Sequence, residues 1–347
     1  MRPPAVIDWA LERGAARDGI TIVRELAKDL ILDGHNVTGV VTETQRLTAD
    51  VVIDASGRRS RVPRWLAAQG VEVKEERSPC GCVYLTRAYT LQGDPPGPFL
   101  TGFGTFGPGD GFQTLVFRAD DATYTISLQI NADDKELMVA RDPAAFEAVL
   151  AKLPWTAPWL QAGQPISDVA VMAGIENTSR LLVVDGAPVV TGLLLVGDAA
   201  ATSNPTLGRG MSLALMGSLL GAQVLDIDDP VERALTLDRL RAKEIDPFTA
   251  ESWDLDERGI ATARHRLFGD PEPVLPAYAV PEEVFPFMFT ERDAWQRTIR
   301  KNHLLADPST LYDEDLAARV VAARGGPAPV PPVTREECLA AALAAVG

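Results

Sequence analysis

The sequence predicts an α/β protein in which a β-rich α+β region is inserted between two parts of a parallel sheet. Two segments carry the α/β prediction, because residues 47–54 and 193–198 are mostly apolar and each reaches an acidic residue beside a glycine-containing turn. Such apolar continuity is typical of strands that are buried on both faces. Between these segments, short β-like runs separated by Gly/Pro clusters indicate a mostly antiparallel sheet.

Composition excludes several classes of protein. The 347 residues include 33 basic and 48 acidic side chains, giving a net charge of −15 and a pI near 4.7, which disfavours nucleic acid and anionic membrane surfaces as partners. No apolar run approaches the ~20 residues of a membrane span. Asp8 and Glu12 interrupt any signal peptide, and three cysteines form neither a disulfide framework nor a zinc site. We therefore expect a cytoplasmic protein without a metal.

The chain begins with a helical pattern that ends near Gly14. A short strand is predicted at residues 21–23. Two further β-rich runs follow at residues 37–42 and 47–53, joined by polar residues 43–46, so we expect a hairpin whose second strand enters the buried sheet.

The inserted region and the second half of the chain show clear changes of pattern. The insert predicts strands at 83–91, 114–118 and 123–130 and a helix at 143–153. A short apolar strand at 193–196 then precedes a Gly/Ala/Leu-rich helix at 210–225, and helices interrupted by prolines follow from Pro230. The predicted units are a first α/β part at 1–75, a β-rich substrate domain at 76–175, a second α/β part at 176–228 and a helical C-terminal region at 229–347.

The most informative segment is residues 193–215, LLLVGDAAATSNPTLGRGMSLAL. The carboxylate of Asp198 emerges at the carboxyl end of a buried strand, where open α/β sheets bind ligands. Gly208 and Gly210 allow close approach of the backbone to a flat ligand, and Pro205 stiffens the loop. The following helix directs its N-terminus at the same place, which favours an anion by about 0.3–1 kcal/mol.

This segment resembles the second flavin-binding motif of the para-hydroxybenzoate-hydroxylase-like FAD-dependent oxidoreductases. In that family the Asp meets the ribityl chain, and the glycine loop with its helix N-terminus lies against the isoalloxazine. The resemblance implies these cofactor-binding residues here: Gly197, Asp198, Pro205, Gly208, Arg209, Gly210 and Met211.

An earlier segment resembles the Asp-Gly motif of the same family. It supplies Asp54, Gly57 and Ser60 as cofactor-binding candidates, although this chain has Ala-Ser-Gly where Ala-Asp-Gly is commoner. Arg2 is similar to the Arg that begins a cofactor-contacting helix in the family. The two motifs stand in the family's order with the β-rich insert between them.

The resemblance also implies what this chain lacks. The family begins with a βαβ unit whose glycine-rich turn holds the ADP half of FAD, and no such unit precedes Arg2. The G-x-G-x-x-G of residues 102–107 has no preceding apolar strand and is interpreted as a loop of the substrate domain. We therefore expect an FAD/NAD(P)-binding three-layer fold that is N-terminally incomplete. Self-association, or a partner that covers the open sheet, is expected to follow.

The implied activity is that of an FAD-dependent, NAD(P)H-dependent monooxygenase, which hydroxylates an organic small molecule through a flavin hydroperoxide. Two alternatives stay open: a flavin-dependent reductase of the same superfamily, and a non-catalytic remnant that binds a ligand or partner. The Trp-x-Trp-x-Ile-Pro motif of flavin halogenases is not present. Arg87 and Trp155 are weak candidates for substrate contacts, and no catalytic residue is assigned.

Overall fold

A computed structural model describes residues 4–96, 105–280, 287–323 and 333–347. Within these ranges the helices are α1 (Pro4–Arg17), α2 (Val62–Ala68), α3 (Pro143–Lys152), α4 (Ala157–Gln161), α5 (Gly210–Gln223), α6 (Pro230–Glu244), α7 (Asp246–Phe268), α8 (Arg292–Asn302), α9 (Glu314–Ala323) and α10 (Arg335–Val346). In this part of the chain, no helix is both long and apolar enough to cross a bilayer.

The strands of the described ranges are short, and several pair with strands that are distant in sequence. They are β1 (Asp29–Asp33), β2 (Asn36–Val41), β3 (Arg46–Thr48), β4 (Val52–Asp54), β5 (Lys74–Pro79), β6 (Cys82–Leu91), β7 (Thr105–Pro108), β8 (Phe112–Arg118), β9 (Thr123–Asn131), β10 (Gly163–Pro165), β11 (Ala170–Met172), β12 (Glu176–Leu181), β13 (Val183–Val184), β14 (Ala187–Pro188), β15 (Leu193–Leu195) and β16 (Ala201–Thr202).

The strands form one large antiparallel sheet and several small ones. The order β10-β6-β9-β8-β7, with β11 also on β6, confirms the antiparallel sheet that the insert predicts. The orders β1-β2-β3, β16-β12-β5 and β13-β14 are antiparallel as well. Only β4 and β15 pair in parallel among the described strands, and they join residues 52–54 to residues 193–195.

Two apolar clusters hold these layers together. The larger lies between one face of the six-stranded sheet and helices α3 and α10, and it includes the fully buried Tyr89, Tyr124, Phe146 and Leu150. The smaller joins the parallel pair to β1, β2 and α2. The C-terminal helix α10 therefore covers the antiparallel sheet, with Cys338 fully buried against it.

Two expectations for the first sixty residues are wrong. Residues 21–23 form no strand, and Ile22 is half exposed. The run 47–53 is not one strand but divides into β3 and β4, which belong to different sheets. The chain bends at the exposed residue 50, where it leaves the β2–β3 hairpin before it enters the parallel pair.

The G-x-G-x-x-G of residues 102–107 lies partly outside the described residues. Its last glycine, Gly107, belongs to β7, a strand at the edge of the antiparallel sheet. A side chain at Gly107 would overlap the ring of Trp155, so this glycine permits Trp155 to pack closely against the edge of the antiparallel sheet.

Candidate functional site

The turn that follows β15 places Asp198 at the carboxyl end of the parallel pair. A single helical turn, Gly197–Ala199, replaces the strand there, and α5 packs against it. Gly197 has φ +57°, and an added Cβ would lie 3.1 Å from the Cβ of Ala214 on α5. Glycine is therefore required at residue 197 by backbone conformation, and the available space is also small.

The carboxyl group of Asp198 is partly buried, and no described residue donates a hydrogen bond to it. Burial raises the pKa of the Asp198 carboxyl, and the positive charge of Arg58 opposes that shift. A partly desolvated carboxylate without a protein donor keeps its acceptor positions open to water or to a ligand. Asp198 thus has the acceptor capacity that a ligand hydroxyl requires.

The loop after this turn is held by its own asparagine. The side-chain oxygen of Asn204 accepts a hydrogen bond from the Thr206 amide at 2.9 Å, which caps the short helical turn Pro205–Leu207. The side-chain nitrogen of Asn204 donates to Asp256 on α7 at 2.6 Å. Gly208 ends the turn at φ +66°, a left-handed conformation that favours glycine.

The same loop is also fixed from the antiparallel sheet. Gln129 on β9 donates to the Thr206 hydroxyl at 3.0 Å, and the Tyr84 hydroxyl on β6 contacts the same oxygen. Burial raises the pKa of Asp256 on the other side of the loop, while hydrogen bonds from Asn204, Asn177 and Cys80 oppose the shift. The predicted Pro205 loop is thus held by hydrogen bonds to β6, β9 and α7.

Helix α5 begins at Gly210 without a side-chain cap. Its first amides are therefore available to a ligand, as the sequence predicts for a helix N-terminus. The side chain of Arg209 points elsewhere, because its guanidinium pairs with the buried Glu251 and donates to the Phe248 carbonyl. Only the backbone of Arg209 is left to contact a cofactor, whereas Met211 at the helix start is 68% exposed.

In the loop after β4, which carries the segment similar to the Asp-Gly motif, the polar groups bond to one another. The Asp54 carboxylate accepts hydrogen bonds from the Ser56 amide at 2.9 Å and from the Ser60 hydroxyl. The Ser60 oxygen in turn accepts from the Val62 amide at 3.1 Å, where α2 begins. Gly57 has φ +83°. Asp54 and Ser60 therefore shape this loop, and their contact with a cofactor stays a prediction, as it does for Gly57.

Arg180, which sequence reasoning missed, ties the two loops together. Its guanidinium is 5% exposed and donates to the Ala199 carbonyl at 2.9 Å and to the Arg58 carbonyl at 3.3 Å. It also pairs with Glu75 at 2.5 Å. Burial opposes ionisation of Glu75, but hydrogen bonds from Arg77 and Arg180 hold the pKa of this carboxyl below its usual value.

The remaining predicted residues lie away from this loop cluster or outside the described ranges. Arg2 lies outside the described ranges. Arg87 pairs with Glu147 at 2.6 Å and donates to the Ser167 carbonyl. The Trp155 indole donates to the Thr114 hydroxyl at 2.7 Å. Because β6 residues alternate, Arg87 shares the helix-covered face with Tyr89, opposite to Tyr84.

The face of the sheet that carries Tyr84 combines a small apolar cluster, which includes Cys82 and Leu115, with a group of polar side chains that was not predicted from the sequence. Side chains on it pair with one another across the strands, with Thr86 and Ser127 hydroxyls 2.8 Å apart and Gln113 bonded to Gln129. Gln129 then reaches the Thr206 loop. Residues such as these carry no sequence signature, because only strand register brings them to one face.

Comparison with known proteins was informative only at the level of structure. No protein family and no curated protein matches the sequence. Solved structures do match: the flavin-dependent brominase Bmp2 superposes with a TM-score of 0.57 at 18% identity, covering 94% of this chain and 75% of that one. This chain shares its fold.

Two further solved structures also share this fold. A geranylgeranyl bacteriochlorophyll reductase-like protein from Thermoplasma acidophilum gives a TM-score of 0.54 at 18% identity, over 89% of this chain and 74% of that chain. An HpxO variant from Klebsiella pneumoniae, solved with FAD, gives a TM-score of 0.51 at 16% identity, over 88% of this chain and 73% of that chain. The predicted resemblance is thereby confirmed for the fold, whereas the predicted N-terminal incompleteness and the domain boundaries stay predictions.

Proposed function

We propose that this chain is an FAD-dependent oxidoreductase and that the loop cluster around Asp198 holds the ribityl and isoalloxazine part of the flavin. The observation that carries the proposal is the partly buried Asp198 carboxylate, which no described residue satisfies, beside the uncapped N-terminus of α5. The left-handed Gly208 adds a backbone surface free of side chains. The FAD-bound HpxO neighbour shares this fold and supports the choice of cofactor.

The residues present fit such a group. Asp198 would accept a hydrogen bond from a ribityl hydroxyl, and the first amides of α5 would stabilise negative charge on the flavin edge. The clamps on Thr206 hold the Pro205 loop in position before a ligand binds. When bound, flavin supplies the redox and oxygen chemistry, while the protein positions it and tunes its electronics.

We assign the reaction class as NAD(P)H-dependent monooxygenation of an organic small molecule. The polar face formed by Tyr84, Thr86, Ser127 and Gln129 adjoins the Pro205 loop and offers hydroxyl and amide groups to such a substrate. A reductase is the second candidate, supported by the fold of the reductase-like Thermoplasma acidophilum protein. Oxygen uptake coupled to product in the presence of NADPH would support the first candidate, and product without oxygen uptake the second.

The proposal is tested by flavin titration of the Asp198→Ala variant. Loss of one charged acceptor should weaken FAD binding by about tenfold to a hundredfold, since hydrogen bonds to charged groups contribute about 1.5–3 kcal/mol. Flavin fluorescence quenching measures the affinity, and circular dichroism confirms that the variant is folded.

Asp238→Ala is the matched control, because Asp238 on α6 is also partly buried and burial also raises its pKa. It should leave flavin affinity unchanged. Equal affinity of the Asp198 variant and the wild type would contradict the proposed site. A wild-type protein that binds no flavin would favour the non-catalytic remnant.

A further inference from the structure

Asp256 is a buried acidic residue on α7 that contacts the Pro205 loop from outside it. Its carboxylate accepts hydrogen bonds from the Asn204 side chain at 2.6 Å and from the Asn177 side chain on β12, also at 2.6 Å. The Cys80 thiol donates to it as well. The carboxylate therefore has three neutral donors from three separate parts of the chain. Each of them is buried and needs an acceptor within the protein.

The orientation of the Asn204 amide follows from its other partners. Its side-chain oxygen accepts from the Thr206 amide at 2.9 Å and from the Thr206 hydroxyl at 2.7 Å. A main-chain N–H can only donate, so the oxygen must face Thr206 and the nitrogen must face Asp256. Because the Thr206 hydroxyl gives its one proton to Asn204, it accepts from Gln129 at 3.0 Å and from Tyr84. The hydrogen bonds therefore run in one direction, from the antiparallel sheet through the loop to Asp256.

A second path of hydrogen bonds ends on the same carboxylate. The main-chain amide of Asn204 donates to the Ser252 hydroxyl at 3.1 Å, so this hydroxyl is free to donate its own proton. It donates to the Asn177 oxygen at 3.1 Å, which turns the Asn177 nitrogen toward Asp256. Ser252 and Asp256 are four residues apart on α7 and therefore lie on the same side of that helix. Both the main chain and the side chain of Asn204 are thus fixed by α7.

We propose that Asp256 is a positioning residue for the flavin: it is the acceptor at which both paths end, so it orients Asn204 and thereby sets the Pro205 loop and the start of α5. This inference rests on the proposed function, because the loop and the helix start are the parts that would contact the isoalloxazine. Asn204 lies six residues before Gly210, where α5 begins. A turn of the Asn204 amide would remove the cap from Thr206 and release the backbone that the cofactor needs.

The test exchanges the two side chains. Asn204→Asp alone sets two carboxylates against each other at a contact that is now 2.6 Å, and it should weaken FAD binding at least about tenfold. Asp256→Asn alone leaves one acceptor oxygen for two amide donors, so it should also weaken binding, and it provides the comparison if Asn204→Asp does not fold. In the double variant Asn204→Asp/Asp256→Asn every donor again meets an acceptor. Its affinity should return to within about threefold of the wild type.

Asn204→Asp/Asp238→Asn is the matched control, because it has the same net charge as the exchanged pair but leaves Asp256 a carboxylate. Asp238 lies on α6. This control should bind FAD as weakly as Asn204→Asp does. Flavin fluorescence quenching measures the affinity of all four variants. Urea unfolding without flavin should show the same recovery in the exchanged pair, because the two paths are complete before a ligand binds.

The outcomes separate this inference from the proposed function. Equal FAD affinity of the wild type and both single variants would overturn the role of Asp256 and leave Asp198 as the flavin ligand. An exchanged pair that binds no better than the matched control would also overturn it, because the loss would then come from packing and not from the direction of the hydrogen bonds. A wild-type chain that binds no FAD would instead overturn the proposed function, and the flavin role of Asp256 with it.

Discussion

The two loops at the carboxyl ends of β4 and β15 differ in how their acidic residues are used. Asp54 is buried and accepts hydrogen bonds from the Ser56 amide and the Ser60 hydroxyl of its own loop. Asp198 is partly buried, and no described residue donates a hydrogen bond to it. Two carboxylates near the carboxyl ends of adjacent strands, one in β4 and one in the turn after β15, therefore have different energetics. The first stabilises the fold, and the second costs stability that a ligand can recover.

Arg180 makes this difference possible by holding the second loop without touching the Asp198 carboxylate. It donates to main-chain carbonyls of both loops and leaves the carboxylate free. The turn that carries Asp198 is thus held through its main-chain carbonyls and not through the Asp198 carboxylate. Mutations can therefore change the stability of the protein separately from the acceptor that Asp198 offers to a ligand.

Of the substitutions at the two loops, removing Arg180 should cause the largest loss of stability. Arg180→Met should lower the free energy of unfolding by about 2–4 kcal/mol, because a buried charge partner and several carbonyl contacts are lost together. Urea unfolding measures this change. Arg77→Met is the matched control, since Arg77 pairs with the same Glu75 but is 51% exposed. It should cost at most about 0.5 kcal/mol. Similar losses for the two variants would contradict a linking role for Arg180.

Removing the Asp54 carboxylate tests the stabilising half of the comparison. Asp54→Ala should cost about 1–3 kcal/mol, because the Ser56 amide and the Ser60 hydroxyl lose their acceptor. Thermal and urea unfolding give the value. Asp50→Ala, at an exposed residue just before β4, should be nearly neutral. An unchanged stability for the Asp54 variant would show that the loop does not depend on its carboxylate.

The sequence predicted the strand, turn and helix around Asp198 better than the contacts that hold them, for a physical reason. Asp198, Pro205, Gly208 and Gly210 follow one another along the chain, so local strand, turn and cap signals are sufficient to place them. Arg180, Tyr84 and Gln129 act across 18 to 122 residues of sequence, and tertiary packing alone brings them to the loops. Asn204 could have been found, because Asn before Pro at a helical turn is a capping signal.

The errors in the fold have a related cause. The run 47–53 is apolar enough for one strand, yet it serves two sheets, because the chain bends at residue 50 between them. Residues 21–23 favour a strand by composition but have no partner in the described structure. Strand propensity depends on a neighbouring edge, and a local pattern does not contain that information.

Neutralising Asp198 should have the smallest effect on stability. Unlike the other substitutions, it should raise the free energy of unfolding. Burial raises the pKa of this carboxyl in the folded state, so folding favours its protonated form, and ionisation costs stability as the pH rises through the folded pKa. Asp198→Asn removes that cost. The variant should gain about 0.5–1 kcal/mol at pH 7, a usual yield for relieving one unfavourable charge.

The gain should shrink as the pH falls through the folded pKa and vanish below the usual pKa of aspartate, because the wild-type carboxyl is then protonated in both states. Urea unfolding of both proteins from pH 3 to pH 8 measures the difference. Asp54→Asn in the same series should show no gain at pH 7, because the Asp54 carboxylate already has its donors. A loss of stability at pH 7 for the Asp198 variant would mean that its carboxylate has a stabilising partner in the protein, and the contrast between the two loops would fail.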